Sequence, residues 1–358
     1  MNRVTVKLTL LILVLVLLSG CSAFDKTYVV EADYPLAARK EVSPDDTLTV
    51  SGLSDLRDGI RSVVADGLES RTILFDASYA GNPAEDLAAA CWQVRTEDAL
   101  CIYCVENIAY ELTQIVSVTE ARINITYSPK AIPVADVITM PYATDLNECI
   151  AEVITSGRSR IAVLINRSTL TEESMAARFS EVYRSNPGLS PTEPSVTVTR
   201  FTGTGTQCLY EVAVDTGLTQ EEFLEMRNEM DTLIYQPEED LDERTLAENA
   251  FEFLEEACDI NAPGTVYAAL IEKKAAPEGI ALAYVELCRR SGLDCLIVYG
   301  QKDWQDHCWN MVRVDGTYYH VDLFAGYDGG FMKSDSDFWG SYRWAVSEYP
   351  KCVGSGEI

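Results

Sequence analysis

Apolar and polar positions alternate with two periods along this chain, and between residues 54 and 215 the order of periods repeats. Helical spacing over 54–66 gives way to a β-rich run over 71–77, a second helical stretch over 83–94, and strand patterns over 112–118 and 121–128. The same succession returns as helices over 144–156 and 171–184 with strands over 160–166, 195–202 and 207–215, the last pair joined by the turn Thr202-Gly203-Thr204-Gly205. Individual residues keep the register. Asp55-Leu56-x-Asp58-x-Ile60 recurs 90 positions later as Asp145-Leu146-x-Glu148-x-Ile150, and Gly67 recurs as Gly157. Ile73-Leu74-Phe75-Asp76-x-Ser78 matches Val163-Leu164-Ile165-Asn166-x-Ser168 at that offset. The pattern predicts a duplicated α+β module.

Beyond the repeat, Thr219 and Glu222 form a capping-box signature for a helix reaching Tyr235, and Gln236-Pro237-Glu238-Glu239-Asp240 ends it. A helix over 241–258 follows. Glu278 to Arg290 is apolar at Ile280, Ala283, Tyr284, Leu287 and Cys288, the signature of a helix with a buried face. Three strands complete the pattern, over 295–301, 307–314 and 318–324, with Asp315-Gly316 as a two-residue hairpin turn between the last two.

The first residues carry a different message. Arg3 and Lys7 precede the run Leu8–Leu18, which is apolar except for Thr9 and spans 11 residues, whereas a helix crosses a bilayer with about 20. Leu18-Ser19-Gly20-Cys21 closes the run and resembles the bacterial lipobox. That resemblance implies cleavage before Cys21 and a diacylglyceryl group on its thiol. The implied location is extracytoplasmic, with the protein anchored to the bacterial cell membrane through the Cys21 lipid. The organisation expected is therefore a signal peptide over 1–20, lipidated Cys21 and a polar tether over 21–48, repeat modules over 49–130 and 140–217, a linking helix and linker over 218–240, and a C-terminal domain over 241–358.

Losing Arg3 and Lys7 with the leader takes the formal charge from −28 to −30. Acidity on this scale repels nucleic acid and anionic lipid headgroups, so no nucleic-acid partner is expected. Ten cysteines remain after Cys21, most within apolar periodic segments where cysteine packs as a small hydrophobe. Cys101-Ile-Tyr-Cys104 has no second pair at zinc spacing. No metal or cofactor is expected.

Both histidines, His307 and His320, fall in one β-rich segment. With Val314 opposite Thr317 across the Asp315-Gly316 turn, His307 faces Phe324 and Trp309 faces Asp322, so His307 and Asp322 become diagonal neighbours on one face. Cys308 then points to the other face. A carboxylate holding one imidazole nitrogen leaves the other free to activate a nucleophile, and the start of the helix near Glu278 is where a thiol would be activated.

Tyr267-Ala268-Ala269-Leu270, Glu278-Gly279, Gly292-Leu293-Asp294-Cys295, His307-Cys308-Trp309-Asn310, Asp315-Gly316 and Tyr319-His320-Val321-Asp322 resemble, in order and spacing, the transglutaminase-like family with its papain-like Cys-His-Asp fold. The resemblance covers roughly 242–345 and implies a helix packed on an antiparallel sheet. The duplicated modules also look like those that precede such domains. One position departs from the family: where its cysteine opens the helix, this chain has Pro277. Proline suits the first helical turn but carries no nucleophile. The expected protein is thus a non-catalytic one, keeping His307 and Asp322 beside a cleft formed by Glu278, Trp304, Trp309, Asn310 and His320 that receives a peptide or a peptidoglycan stem. Two alternatives stand beside it: a cysteine peptidase or transglutaminase-type enzyme using a relocated thiol, and a structural module that assembles other envelope proteins.

Overall fold

A computed structural model describes residues 47–115, 118–233 and 240–353. The leader, Cys21, most of the expected tether and the Pro237 linker lie outside the described residues. The described chain forms two units, one of residues 47–137 with 201–208 and one of residues 138–200 with 209–353. The class is α+β.

Module one runs β1 (Thr47–Val50), α1 (Leu53–Ala65), β2 (Ser70–Phe75), α2 (Pro83–Glu97), α3 (Ala99–Cys104), β3 (Val105–Ile115) and β4 (Val118–Tyr127). Its sheet has the order β1-β2-β4-β3, with β1 parallel to β2 and the other pairs antiparallel. The second module, β5 (Ile138–Met140), α4 (Leu146–Ser156), β6 (Arg160–Ile165), α5 (Glu172–Ser185), β7 (Ser195–Thr202) and β8 (Cys208–Asp215), reproduces that order as β5-β6-β8-β7, again with a parallel first pair. The repeat in sequence is a repeat in topology. Equivalent residues do equivalent work: Leu56 and Ile60 of α1 are buried, as are Leu146 and Ile150 of α4. Gly67 and Gly157 both end their helices at positive φ, 66° and 62°, a conformation that costs residues with a Cβ.

Three features lie outside the sequence expectation. The opening strands β1 and β5 are too short to show a period, and β1 begins at Thr47, two residues inside the stretch read as tether. Helix α3 was not expected; Asp98 caps it by accepting from the Cys101 amide at 3.1 Å. It also buries both thiols of the C-x-x-C. Burial pushes the Cys104 thiol up to about 12 and the Cys101 thiol higher still, so neither is a thiolate near neutral pH.

After α6 (Gln220–Asp231), whose Thr219/Glu222 capping box forms as expected, the C-terminal region contributes α7 (Glu243–Glu255), α8 (Pro277–Arg290), β9 (Cys295–Lys302), β10 (Gln305–Val314), β11 (Thr317–Val321) and β12 (Tyr342–Trp344). Its sheet is antiparallel in the order β11-β10-β9-β12. Helix α8 covers one face: Asn310 on β10 donates to the Ala281 carbonyl at 3.0 Å. The other face is covered by the C-terminal segment, where Phe338, Tyr342 and Cys352 join Val298, Trp309 and Met311 in one buried cluster. Every residue of α8 from Gly279 to Cys288 is buried, Glu286 included. Its carboxylate is held by Arg289 and Arg290 at 2.8 Å and accepts the Gly188 amide at 3.2 Å. A buried charge requires such partners, and this one ties the turn after α5 to the helix that carries the candidate site. Among the described residues, no helix is long and apolar enough to cross a membrane.

Candidate functional site

The Asp315-Gly316 turn sets the register of the site. Both residues have positive φ, 49° and 82°, as a two-residue type I′ hairpin requires. Val314 pairs with Thr317 and Asn310 with Val321. The ladder then stops short of the expected Phe324, because Asp322 leaves the strand to cap a helical turn, accepting from the Phe324 amide at 2.9 Å. The diagonal contact forms nonetheless: His307 Nε2 lies 3.0 Å from Asp322 Oδ2. A carboxylate only accepts, so Nε2 carries the proton. Nδ1 has no hydrogen-bond partner among the described residues.

Asp322 is more than a partner for one histidine. Its Oδ2 also accepts from Lys302 Nζ at 3.1 Å and from the Tyr342 hydroxyl at 2.6 Å, while Oδ1 holds the Phe324 amide. The residue is 2% exposed. Burial alone would raise its carboxyl, but hydrogen bonds from His307 and Tyr342, with the charges of His307 and Lys302, hold it below the ordinary carboxylate value. Its backbone amide donates to the Gly330 carbonyl at 2.8 Å. A Cβ at Gly330 would stand 1.9 Å from the Asp322 carbonyl oxygen, so this close approach needs glycine. Lys302, Tyr342 and Gly330 are absent from the sequence reading. Tyr342 and Gly330 lie beyond the hairpin, and their role appears only when the C-terminal segment folds back over the sheet.

The cleft residues read from the sequence separate into two groups. Trp309, Asn310 and His320 are inside the protein, at 1%, 1% and 0% exposure, so they support the site without lining a cleft. Trp309 Nε1 donates to His320 Nδ1 at 2.9 Å, and His320 Nε2 meets Asp335 Oδ1 at 3.0 Å. With Nδ1 accepting, the proton sits on Nε2. Burial lowers the His320 pKa against the opposing pull of Asp335, and the ring is neutral at neutral pH. The ligating atoms of His320, Asp335 and Cys352 lie within 4.8 Å of one another. A cation there would have to displace the Nε2 proton, and moving it to Nδ1 would set it against the Trp309 N–H, so the donor set does not suit a metal.

Glu278 and Trp304 are at the surface. Glu278 sits in the first turn of α8 and accepts from the Tyr299 hydroxyl at 3.4 Å. Trp304 is 73% exposed in the Asp303-Trp304 turn, where both φ are positive, and the Arg343 guanidinium lies 3.4 Å from its ring centroid.

Pro277 occupies the first position of α8, preceded by Ala276 in extended conformation. The helix start is preserved without a thiol at it. Cys308 pairs with Tyr299 across the ladder while His307 pairs with Gly300, which puts Cys308 on the opposite face from His307. Cys308 and Cys258 both register the Asp322 charge. Burial, then the charges of Glu278 and Asp322, push Cys308 up to about 12; burial, then Asp322 and Glu255, push Cys258 up to about 11. Cys295 is raised too, by burial and by its hydrogen bond with the Cys288 thiol. All three are protonated near neutral pH and are poor nucleophiles.

Residues 239–323 match the family model of the transglutaminase-like superfamily, and this part of the chain is a transglutaminase-like domain. A solved structure titled "Crystal structure of a TGase" is similar at 13% identity, with 64% of this chain matched to 66% of that one and a TM-score of 0.20. No curated protein matches the chain.

Proposed function

We propose that this protein is an extracytoplasmic lipoprotein, tethered to the cell membrane through Cys21, whose transglutaminase-like domain binds a peptide or a peptidoglycan stem without transferring an acyl group. One observation carries the reading. The His307–Asp322 hydrogen bond is in place at 3.0 Å, while Pro277 is the first residue of α8, the place to which the sequence resemblance assigns the family's cysteine. An acyl-transfer cycle needs a nucleophile that forms and releases a covalent intermediate, and proline offers none. The Nδ1 atom of His307 is left as a hydrogen-bonding group for a polar, extended ligand.

Two measurements test this. Titration with a synthetic stem peptide is expected to show binding that weakens at least about tenfold, or about 1.4 kcal/mol, in His307→Ala, with the peptide recovered intact by mass spectrometry. Cleavage or transfer of the peptide would overturn the non-catalytic reading. Limited alkylation with iodoacetamide at neutral pH is expected to find no cysteine whose labelling depends on His307; one such thiol would point to a relocated nucleophile. The anchor is tested separately: an alkyne-bearing fatty acid supplied to expressing cells should label the protein, and Cys21→Ser should abolish the label.

A further inference from the structure

Strand β9 is paired along its whole length on one side and along only part of it on the other. β10 covers it from Lys302 to Cys295, whereas β12 reaches only Lys302, Gln301 and Gly300. Residues Cys295 to Tyr299 therefore have no strand beside them on that edge. Three hydrogen bonds show which backbone groups face it. Arg313 donates to the Asp294 carbonyl at 2.8 Å, so even-numbered residues of this run turn toward β10. Asp303 donates to the Ser341 carbonyl at 2.8 Å, and Tyr299 to the Tyr349 hydroxyl at 3.3 Å, so odd-numbered residues turn outward. Ile297 is the outward residue between Tyr299 and Cys295, and among the described residues its N–H and C=O have no partner.

This edge of β9 forms one wall of a groove of about 760 Å³ whose opposite wall is α5, with Glu181 and Arg184 on that side and Glu348 and Tyr349 at its end. Four residue steps of strand at about 3.3 Å each give an edge roughly 13 Å long, enough for four or five extended residues. The charges lining the groove are unequal in availability. Arg184 is paired with Glu193 at 3.1 Å, and Arg289 shares Glu286 with Arg290 at 2.8 Å, so that group keeps one net positive charge. Glu181 and Glu348 are exposed and have no ion-pair partner among the described residues. The field left for a ligand is acidic.

We infer that this groove receives an extended polypeptide that adds to β9 as a fifth strand and presents a lysine or arginine to Glu181 and Glu348. Unpaired strand N–H and C=O groups are the ligands that another backbone satisfies best. β12 already makes the same addition over the neighbouring three residues. The site is separate from His307 and does not rest on the reading given for it.

The test uses the full chain and a pool of capped hexapeptides, lysine fixed at the third position and the others varied, beside the same pool N-methylated at alternate residues to remove the donors of one edge. Hydrogen exchange is expected to slow at least about tenfold at Ile297 and Cys295 on adding the first pool and to stay unchanged with the second. Glu181→Lys with Glu348→Lys, both on exposed positions, should abolish the protection, and His307→Ala should leave it intact. Absence of protection with the first pool, equal protection by both pools, or protection centred on the His307 region would each overturn the assignment.

Discussion

Replacing Pro277 with cysteine is expected to produce a thiol that alkylates about five to ten times faster at about pH 6.5 than an exposed reference cysteine, and to lose that advantage when His307 is also changed to alanine. An ordinary thiol with a pKa near 8.5 is roughly 1% thiolate at that pH. A thiol at a helix N-terminus beside an imidazole, with a pKa near 6, is about three-quarters thiolate. Lower basicity makes each thiolate less nucleophilic, with a Brønsted slope of about 0.4–0.5, and this removes most of the gain. The factor that remains is still well above what labelling kinetics resolve. Losing proline from the first helical position should cost about 0.4–1 kcal/mol, too little to unfold the domain. Hydrolysis or transfer on a peptide amide by the variant, where the native protein has none, would show that the loss of chemistry is confined to one residue. Labelling at the reference rate, indifferent to His307, would show that the start of α8 and the imidazole do not face each other.

The sequence carried the duplicated module and the His307–Asp322 contact because both rest on local periodicity. A 90-residue offset preserved in Leu56/Leu146 and Gly67/Gly157 is visible without any tertiary information, and the Asp315-Gly316 turn fixes which strand positions lie opposite. The parallel strands β1 and β5 were not legible, since three or four residues have no measurable period and their pairing is non-local. The burial of Trp309, Asn310 and His320 is not legible in the sequence either. Trp309 and Asn310 on β10 and His320 on β11 are buried in a sheet covered on both faces, by α8 on one side and the Phe338–Cys352 segment on the other, and alternation cannot reveal that a sheet is covered twice. The same fold-back hid Tyr342 and Gly330. A buried carboxylate with four donors is assembled from residues 302 to 342, and no spacing rule links them.

That assembly makes Asp322 a costly side chain to remove. Asp322→Ala is expected to destabilise it by about 3–5 kcal/mol, a fall in Tm of about 10 °C for a unit of this size, read by thermal and urea melts with the m-value as a check on two-state behaviour. Lys302 is 26% exposed and can turn to water. The His307 side chain, at 8%, and Tyr342, at 7%, have little access to water, and each would lose its acceptor. Lys302→Met should accordingly cost less than about 1 kcal/mol. The pH dependence has a definite sign. The carboxyl is held below its unfolded value, which is near 3.9, so the unfolded chain takes up protons first as the pH falls. Its stabilising contribution is complete above about pH 5 and is lost as the pH drops through the depressed folded value. Asp322→Ala should flatten that acid limb while lowering stability at neutral pH. A variant as stable as the native protein at pH 7, with its acid limb unchanged, would show that the four donors find other partners and that Asp322 does not organise the site.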